Sequence, residues 1–278
     1  TGQMEAESTG GNLGEKVDVE AAGNPLEPYI ASLRQQLKEQ DPVFLIGVVV
    51  ALAAVVITIV FLKYFLSSKT VRSAVLLVGL CDSGKTLLFS RLLSGKFKRT
   101  QTSITDSSAP YKAKNDKGNT WTVIDLPGHD SLRSQYLEKF KLAARAIVFV
   151  VDSAIFQKQV RDVAEFLYIL LTDTVISRNA PALLVACNKQ DITMAKSAKL
   201  IQQQLEKELN TLRVTRSAAL SSQDGSVGGT VYLGKKGKDF EFSQLPMKVE
   251  FLECSARGSK GEEGGADIEN LEKSLAKL

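Results

Sequence analysis

An apolar run ends in a glycine-rich loop whose residue types suit phosphate binding. Residues 79–86 read GLCDSGKT, which matches the pattern GxxxxGK[ST], and LLFSRLL follows with helical spacing. Glycines let the backbone curl so that successive N–H groups point inward, and the start of a helix adds positive potential. Lys85 would neutralise the β and γ phosphates, and Thr86 is placed to bind magnesium. A strand, loop and helix in this order predict a nucleotide phosphate site with Mg²⁺.

A second motif follows the next clear strand, where residues 125–128 read DLPG. The Asp125 carboxylate could reach magnesium through water, and the Gly128 N–H could meet the γ-phosphate. An ordinary strand-end turn also produces Asp-x-Pro-Gly. The motif therefore gains its weight from its order after the phosphate loop.

Two later segments could recognise a base. Residues 188–191 read NKQD after the apolar run ALLVAC, and the Asp191 carboxylate could accept hydrogen bonds from N1 and N2 of guanine. Adenine lacks those two donors. In residues 253–257, ECSAR, the Ala256 N–H could meet guanine O6 and Ser255 could brace the loop. A solvated turn would explain NKQD alone, but three motifs in this order favour GTP or GDP with Mg²⁺ as the cofactors.

The segments around these motifs alternate between apolar runs and helical patterns. Both-face-apolar runs predict parallel strands covered by helices, hence an α/β fold with a mostly parallel central sheet and helices on both faces. The predicted strands are 74–79, 121–125, 146–152, 182–188 and 249–255. The predicted helices are 85–93, 131–141, 160–176, 195–212 and 267–278. Residues 217–237, rich in Gly and Ser, are predicted to be a flexible surface insertion.

Residues 43–62, VFLIGVVVALAAVVITIVFL, carry no charge. At about 1.5 Å per residue, a helix of this length crosses roughly 30 Å of hydrocarbon. A buried core helix would need partners on every side, because no polar stripe interrupts the run. A cleaved signal peptide would lie nearer the amino terminus, with small residues in place of Lys63-Tyr64-Phe65. The pattern predicts one retained transmembrane helix.

Charges beside this run favour a cytosolic carboxy-terminal side. Residues 63–72 contain three cations and no acid, whereas residues 34–41 contain two cations and two acids. Residues 1–25 have almost no large apolar side chains and cannot offset the entropy of ordering. We therefore expect a mostly disordered lumenal segment at 1–42, a juxtamembrane linker at 63–72 and a cytosolic domain at 73–278.

Charge and cysteine usage exclude some classes. With 35 Lys and Arg against 31 Asp and Glu, the net charge of +4 is too small to favour direct nucleic-acid binding. Cys81, Cys187 and Cys254 have no CxxC spacing, so neither a disulfide framework nor a zinc site is indicated. A reducing compartment fits the domain that contains them.

The order GLCDSGKT, DLPGH, NKQD and CSAR over residues 79–257 resembles the Ras superfamily of small GTPases, closest to its Arf/Sar branch. With a membrane helix upstream, and with the stretches LLVGLCDSGKTLLF, TQTSITDS and VIDLPGH, residues 43–278 more narrowly resemble the β-subunit family of the signal recognition particle receptor. The resemblance implies a Ras-like P-loop GTPase domain and single-pass residence in the endoplasmic reticulum membrane. It also implies a heterodimer with the receptor α subunit and contact with the lipid bilayer. The ribosome and translocon would be indirect partners in cotranslational protein targeting.

The resemblance also implies a set of site residues. Those expected to contact GTP are Gly79, Leu80, Cys81, Asp82, Ser83, Gly84, Lys85, Thr86, Leu87, Thr100, Gln101, Thr102, Ser103, Gly128, Asn188, Lys189, Asp191, Ser255 and Ala256. Thr86, Asp125 and a hydroxyl of the first switch loop would hold magnesium. Spacing does not select among Thr100, Thr102, Ser103 and Thr105, and Thr102 is the working candidate.

The position after the DxxG glycine separates two interpretations of activity. Arf relatives have Gln there to orient the attacking water, whereas this chain has His129, its only histidine, as translational GTPases do. His129 is therefore the candidate catalytic residue beside Gly128, with a solvent-facing loop residue as the alternative. The function is either a switch with slow or partner-dependent hydrolysis or a GTP-loaded anchor with negligible turnover. Another Arf-like GTPase of vesicle traffic is a further alternative, and an ATP-driven motor is disfavoured by NKQD.

Overall fold

The computed structural model describes residues 42–66, 72–113, 120–221, 231–258 and 264–278. The chain forms two compact units, residues 1–68 and 69–278. In the first unit, helix α1 (Pro42–Leu66) has 25 residues, so it includes the start of the predicted linker. Its described side chains lie between Ile46 and Phe61, and the large apolar ones are exposed. Within the described ranges, no helix meets both the length and the hydropathy that a membrane span requires. The expectations for residues 1–41 and 67–71 lie outside the described residues.

The second unit is built on a six-stranded sheet with the order β2-β3-β1-β4-β5-β6. The strands are β1 (Ala74–Val78), β2 (Ser107–Lys112), β3 (Thr120–Asp125), β4 (Ala144–Asp152), β5 (Ala182–Asn188) and β6 (Val249–Glu253). All neighbouring pairs are parallel except β2 with β3. The carboxyl ends of β1, β3, β4, β5 and β6 therefore meet at one edge, where loops in α/β proteins bind ligands.

Helices cover both faces of the sheet. They are α2 (Lys85–Ser94), α3 (Asp130–Phe140), α4 (Phe156–Thr172), α5 (Thr174–Asn179), α6 (Ala198–Ser221) and α7 (Glu269–Ala276). Because side chains alternate along a strand, Leu76 and Phe149 pack in one core with α3 to α6, while Leu77 and Val148 pack in another with α2 and α7. The predicted α/β fold with a mostly parallel sheet is confirmed.

Strand β2 has no counterpart in the sequence prediction. Its residues SSAPYK are mostly polar or exposed, and Pro110 lies within it. Proline is tolerated on an edge strand because such a strand has one unpaired side. The pairing of β2 with β3 is antiparallel, so a tertiary contact rather than an apolar run creates this strand.

The predicted helix 160–176 is two helices in the structure. Helix α4 starts earlier, at Phe156, and ends at Thr172, after which Asp173 adopts an extended conformation and caps α5. The Asp173 carboxylate accepts hydrogen bonds from the N–H groups of Val175 and Ile176 at 2.8 and 2.9 Å. A side chain that competes for backbone donors in this way ends one helix and starts the next.

The predicted insertion 217–237 differs from expectation at both ends. Helix α6 continues to Ser221, and residues 222–230 lie outside the described residues. Beyond them, Leu233 is 2% exposed and belongs to the core. The Arg213 guanidinium donates to the carbonyl oxygens of Lys235 and Lys238 at 3.2 and 2.7 Å, which ties this returning segment to α6.

Candidate functional site

The phosphate loop joins β1 to α2 at the carboxyl edge of the sheet. Gly79 has φ 146°, and a Cβ there would lie 2.3 Å from the Val150 carbonyl oxygen. Gly84 has φ 92° and caps α2, and its Cβ would lie 2.4 Å from Asn188 Nδ2. Both positions thus require glycine for their conformation and for the close approach of neighbouring strands. The loop leads directly into the amino terminus of α2, where unpaired N–H groups attract anions.

Lys85 is the cation of this loop. Its side chain is buried, and Nζ donates to the Leu80 carbonyl oxygen at 2.6 Å. Burial lowers the pKa of Lys85, and the nearby Asp125 carboxylate opposes that shift. An ammonium group held against the inner side of the loop is placed to neutralise a phosphate.

Three oxygen-bearing side chains meet beside Lys85. Thr86 Oγ1 donates to Asp125 Oδ2 at 2.7 Å, and the Thr86 and Ser103 hydroxyls lie 2.9 Å apart. Asp125 is fully buried, and its Oδ1 has no hydrogen-bond partner among the described residues. Burial raises the pKa of Asp125, although the Thr86 hydrogen bond and Lys85 oppose the shift. Hydroxyl and carboxylate oxygens are the donors that Mg²⁺ prefers, so this group fits the predicted ion.

The structure distinguishes the hydroxyls of the first switch loop. Thr100 and Thr102 are exposed at the rim of the cleft, whereas Ser103 is half-buried and reaches Thr86. The working candidate Thr102 therefore does not make the contact that Ser103 makes. Spacing along an irregular loop could not reveal which hydroxyl turns inward.

Gly128 brings the DxxG turn against the phosphate loop. A Cβ at this position would lie 2.6 Å from Lys85 Nζ and 2.8 Å from the Cys81 nitrogen. His129 is exposed and caps α3, with its Nδ1 2.9 Å from Ser131 Oγ. The imidazole is not part of the cleft lining, which corresponds to the solvent-facing alternative for this residue.

A cleft of about 380 Å³ connects these groups. Every residue that lines it belongs to the set expected from the sequence. The lining consists of Cys81, Asp82, Gly84, Lys85, Thr86, Leu87, Thr100, Gln101, Thr102, Ser103, Gly128 and Lys189.

The predicted base-recognition loops meet next to this cleft. Asn188 is buried, and its Nδ2 donates to the Ser83 carbonyl oxygen at 2.8 Å. Its Oδ1 accepts the Ala256 N–H at 2.9 Å, so the donor expected to face guanine O6 bonds to Asn188 in this structure. Ser255 Oγ donates to Asp191 Oδ1 at 2.5 Å, which matches the bracing role expected for Ser255. Asp191 is exposed, and the hydrogen bond from Ser255 orients its carboxylate.

Asp152 is a site residue that the sequence prediction missed. It ends β4, and its Oδ2 accepts a hydrogen bond from Lys189 Nζ at 2.6 Å. Its Oδ1 accepts the N–H groups of Ala154 and Ile155 at 3.0 and 3.3 Å. The ion pair with Asp152 holds Lys189, which has φ 66°, at the lining of the cleft. The sequence offered one signal for Asp152: an acidic residue at the carboxyl end of β4, the strand next to β1.

A phosphate loop, a DxxG turn and an NKxD loop at the carboxyl edge of this sheet define a P-loop protein with the Ras-like GTPase fold. The solved structure titled "The Structure of the Mammalian SRP Receptor" matches with a TM-score of 0.64 and 66% identity, over 73% of this chain and 98% of that chain. A Chaetomium thermophilum structure titled "Signal recognition particle receptor SRb-GTP/SRX complex" has a TM-score of 0.57 at 23% identity, over 73% and 99%, and shares the fold.

Sequence comparison narrows the class. The family described as "Signal recognition particle receptor beta subunit" matches residues 70–249. The Mus musculus signal recognition particle receptor subunit beta is 65% identical over 259 residues, which cover 93% of this chain and 96% of the relative. The chain belongs to the signal recognition particle receptor β-subunit family, and the resemblance predicted from its motifs is confirmed.

Proposed function

We propose that this chain is the GTP-binding, membrane-anchored subunit that holds the receptor α subunit at the endoplasmic reticulum for cotranslational targeting. The observation that carries the proposal is that Lys85, Thr86 and Lys189 line one cleft. Beside it, Asp125 is bonded to Thr86, and Asn188 of the base-recognition loop is bonded to the phosphate loop. A cation and loop amides suit the phosphates, while a braced carboxylate suits the guanine edge.

In this function, each side chain has a defined task. Lys85 and the amides of the phosphate loop bind the β and γ phosphates. Thr86, Asp125 and Ser103 would hold Mg²⁺, which neutralises phosphate charge when bound. Asn188 keeps the base loop joined to the phosphate loop through Ser83, and Asp191 accepts hydrogen bonds from the base. The Gly128 N–H remains the proposed contact of the γ-phosphate, so nucleotide state would control partner binding.

A GTP-loaded anchor with negligible turnover is the second candidate, and the position of His129 favours it. Its Nδ1 bonds to Ser131 in the cap of α3, and the imidazole lies outside the cleft lining. A hydrolytic switch requires His129 to leave this cap and orient the attacking water. Single-turnover hydrolysis by the full chain, with and without the α subunit, separates the two functions. Turnover that the partner stimulates and that His129→Ala abolishes supports the switch, whereas negligible turnover with and without the partner supports the anchor.

The anchor itself is proposed to be residues 43–62 within α1. Support comes from the uncharged sequence, the helical conformation and the exposed apolar side chains of the described positions. The excess of cations after the run favours lumenal residues 1–42 and a cytosolic domain at 73–278. The proposed partners are the α subunit and the lipid bilayer, with indirect contact to the ribosome and translocon and no direct contact with nucleic acid.

Isothermal titration calorimetry tests the nucleotide site. Nucleotide-stripped full chain in detergent is titrated with GDP, GTP and ADP in the presence of Mg²⁺. We expect heat for GDP and GTP and none for ADP at the same concentrations, because adenine lacks the donors that Asp191 binds. Lys85→Ala should remove guanine-nucleotide binding. Absence of heat with GDP and GTP in the unsubstituted chain would refute the proposed function.

A further inference from the structure

Arg91 lies in the last turn of α2 and is only 3% exposed. A buried guanidinium must be fully hydrogen-bonded to offset its lost hydration. Its Nε donates to the Ala256 carbonyl oxygen at 3.0 Å, its Nη1 to Gly95 at 2.9 Å and its Nη2 to Arg257 at 3.1 Å. The guanidinium carbon also lies 5.5 Å from the Phe97 ring centroid. Its hydrogen-bond partners within the described residues are thus main-chain carbonyl groups on two separate loops.

Two of these carbonyl groups belong to the base-recognition loop. Ala256 and Arg257 directly follow Ser255, whose hydroxyl donates to Asp191 at 2.5 Å. The Ala256 N–H bonds to Asn188, and Asn188 bonds to Ser83 in the phosphate loop that begins α2. The phosphate loop leads into α2, and Arg91 lies in α2. These hydrogen bonds therefore form a closed ring.

Removal of the Arg91 side chain would open this ring of hydrogen bonds. The Ala256 carbonyl oxygen would lose a charged donor in a buried position, and the Arg257 carbonyl oxygen would lose one in a partly buried position. Loss of a charged donor to a buried oxygen costs more than loss of an ordinary hydrogen bond. Ser255 would keep its main-chain hydrogen bonds with Asp267, whereas Ala256 and Arg257, which follow it, would lose their attachment to α2. Asp191 is exposed, so the Ser255 hydrogen bond is what orients its carboxylate.

We propose that Arg91 is a positioning residue for guanine selectivity, which fixes residues 255–257 so that Ser255 aims the Asp191 carboxylate at the base. This inference rests on the proposed function, because it assumes that Asp191 binds the guanine edge. It adds a specificity role for a residue outside the four nucleotide-binding motifs. If Arg91 only terminated α2 through its hydrogen bond to Gly95, its removal would not change which base the site prefers.

The test compares GDP with inosine diphosphate, which lacks the 2-amino group that Asp191 would bind. The dissociation constant of inosine diphosphate divided by that of GDP measures this single contact. This ratio does not depend on the fraction of protein that is active. In the full chain with Mg²⁺, Arg91→Gln should lower the ratio by about fivefold, since a misaligned carboxylate loses most of a charged hydrogen bond. Arg91→Lys should give an intermediate ratio, because an ammonium group cannot serve three divergent carbonyl groups.

Arg178→Gln is the matched control, since it removes the same charge from an exposed position on α5. Its ratio should equal that of the unsubstituted chain. If Arg91→Gln weakens both nucleotides by the same factor, Arg91 only supports the fold and the inference is wrong. If Arg91→Gln does not fold, Arg91→Lys decides, and an unchanged ratio there refutes the inference. Failure of the unsubstituted chain to bind GDP would instead refute the proposed function.

Discussion

The Asp125 carboxylate is buried with too few hydrogen-bond partners, so it destabilises the folded state until a cation binds. Asp125 is fully buried beside Lys85, and its Oδ1 has no partner among the described residues. Such groups occur where function requires them, because a buried unpaired oxygen destabilises the fold. The same residue should therefore be a source of both ion binding and instability.

Asp125→Asn should stabilise the nucleotide-free chain at neutral pH. Burial raises the folded-state pKa of Asp125, so the stability it contributes is present below the unfolded pKa and is lost as pH rises through the folded pKa. We expect a gain of about 1 kcal/mol in the free energy of unfolding at pH 7.5, the scale of one buried polar group left unpaired, and the gain should shrink as pH falls. Urea unfolding of the full chain between pH 5 and pH 7.5 measures it, with exposed Asp162→Asn as the control. A loss of stability at pH 7.5 would contradict this expectation.

Ser103 and Thr102 offer a direct comparison of two hydroxyl groups in one loop. Only Ser103 reaches Thr86, so Ser103→Ala should raise the Mg²⁺ concentration for half-maximal GTP retention by about tenfold. Thr102→Ala should change it by less than about twofold, because its side chain is exposed. Dissociation of a fluorescent GTP analogue over a magnesium titration provides the measurement. The reverse order of effects would restore Thr102 as the metal ligand.

At the scale of elements, one carboxylate connects three segments. Asp173 caps α5, and its Oδ2 lies 2.7 Å from Lys141 Nζ, just before β4. Burial alone would raise the pKa of Asp173, but the bonds from Lys141 and the α5 amides outweigh it and leave the pKa lowered. The carboxylate should therefore stabilise the folded state near neutral pH.

Asp173→Ala should lower the free energy of unfolding by about 2 kcal/mol, through the lost cap and the lost ion pair with Lys141, which keeps Glu138 as its partner. Asp173→Asn should cost less, since an amide oxygen still accepts from the helix. A group with a lowered folded pKa stabilises above its unfolded pKa, and this contribution is lost as pH falls through the folded pKa. The stability difference between Asp173→Asn and the unsubstituted chain should therefore shrink as pH falls from 7 to 3. Chemical unfolding at pH 7 and pH 3 tests this, and an equal difference at both would contradict it.

At the scale of the whole molecule, the two units differ in how far their large apolar side chains are exposed. Helix α1 exposes large apolar side chains, such as Ile57 at 67%, while the second unit buries its own in two cores. Exposed apolar surface of this extent marks contact with lipid or protein.

Deletion of residues 43–62 should release the chain from microsomal membranes. The full chain should stay in the pellet after alkaline carbonate extraction, since removing about twenty apolar residues from hydrocarbon is prohibitive. Deletion of residues 1–40 is the control, and it should leave the chain in the pellet. Full extraction of the unsubstituted chain would contradict a membrane span.

The sequence by itself determined the class of fold, the phosphate loop and the order of the motifs. These features are local: eight contiguous residues supply the glycines, Lys85 and Thr86, and apolar runs identify most strands of the parallel sheet. Tertiary structure decided which distant groups meet. Thr86 contacts Ser103 across 17 positions, Lys189 contacts Asp152 across 37, and Arg91 contacts Ala256 across 165. Lys189 meets Asp152 because β4 and β5 are parallel and end at the same edge of the sheet. The other two pairs join a loop or a helix to a distant loop, and no local spacing encodes these contacts.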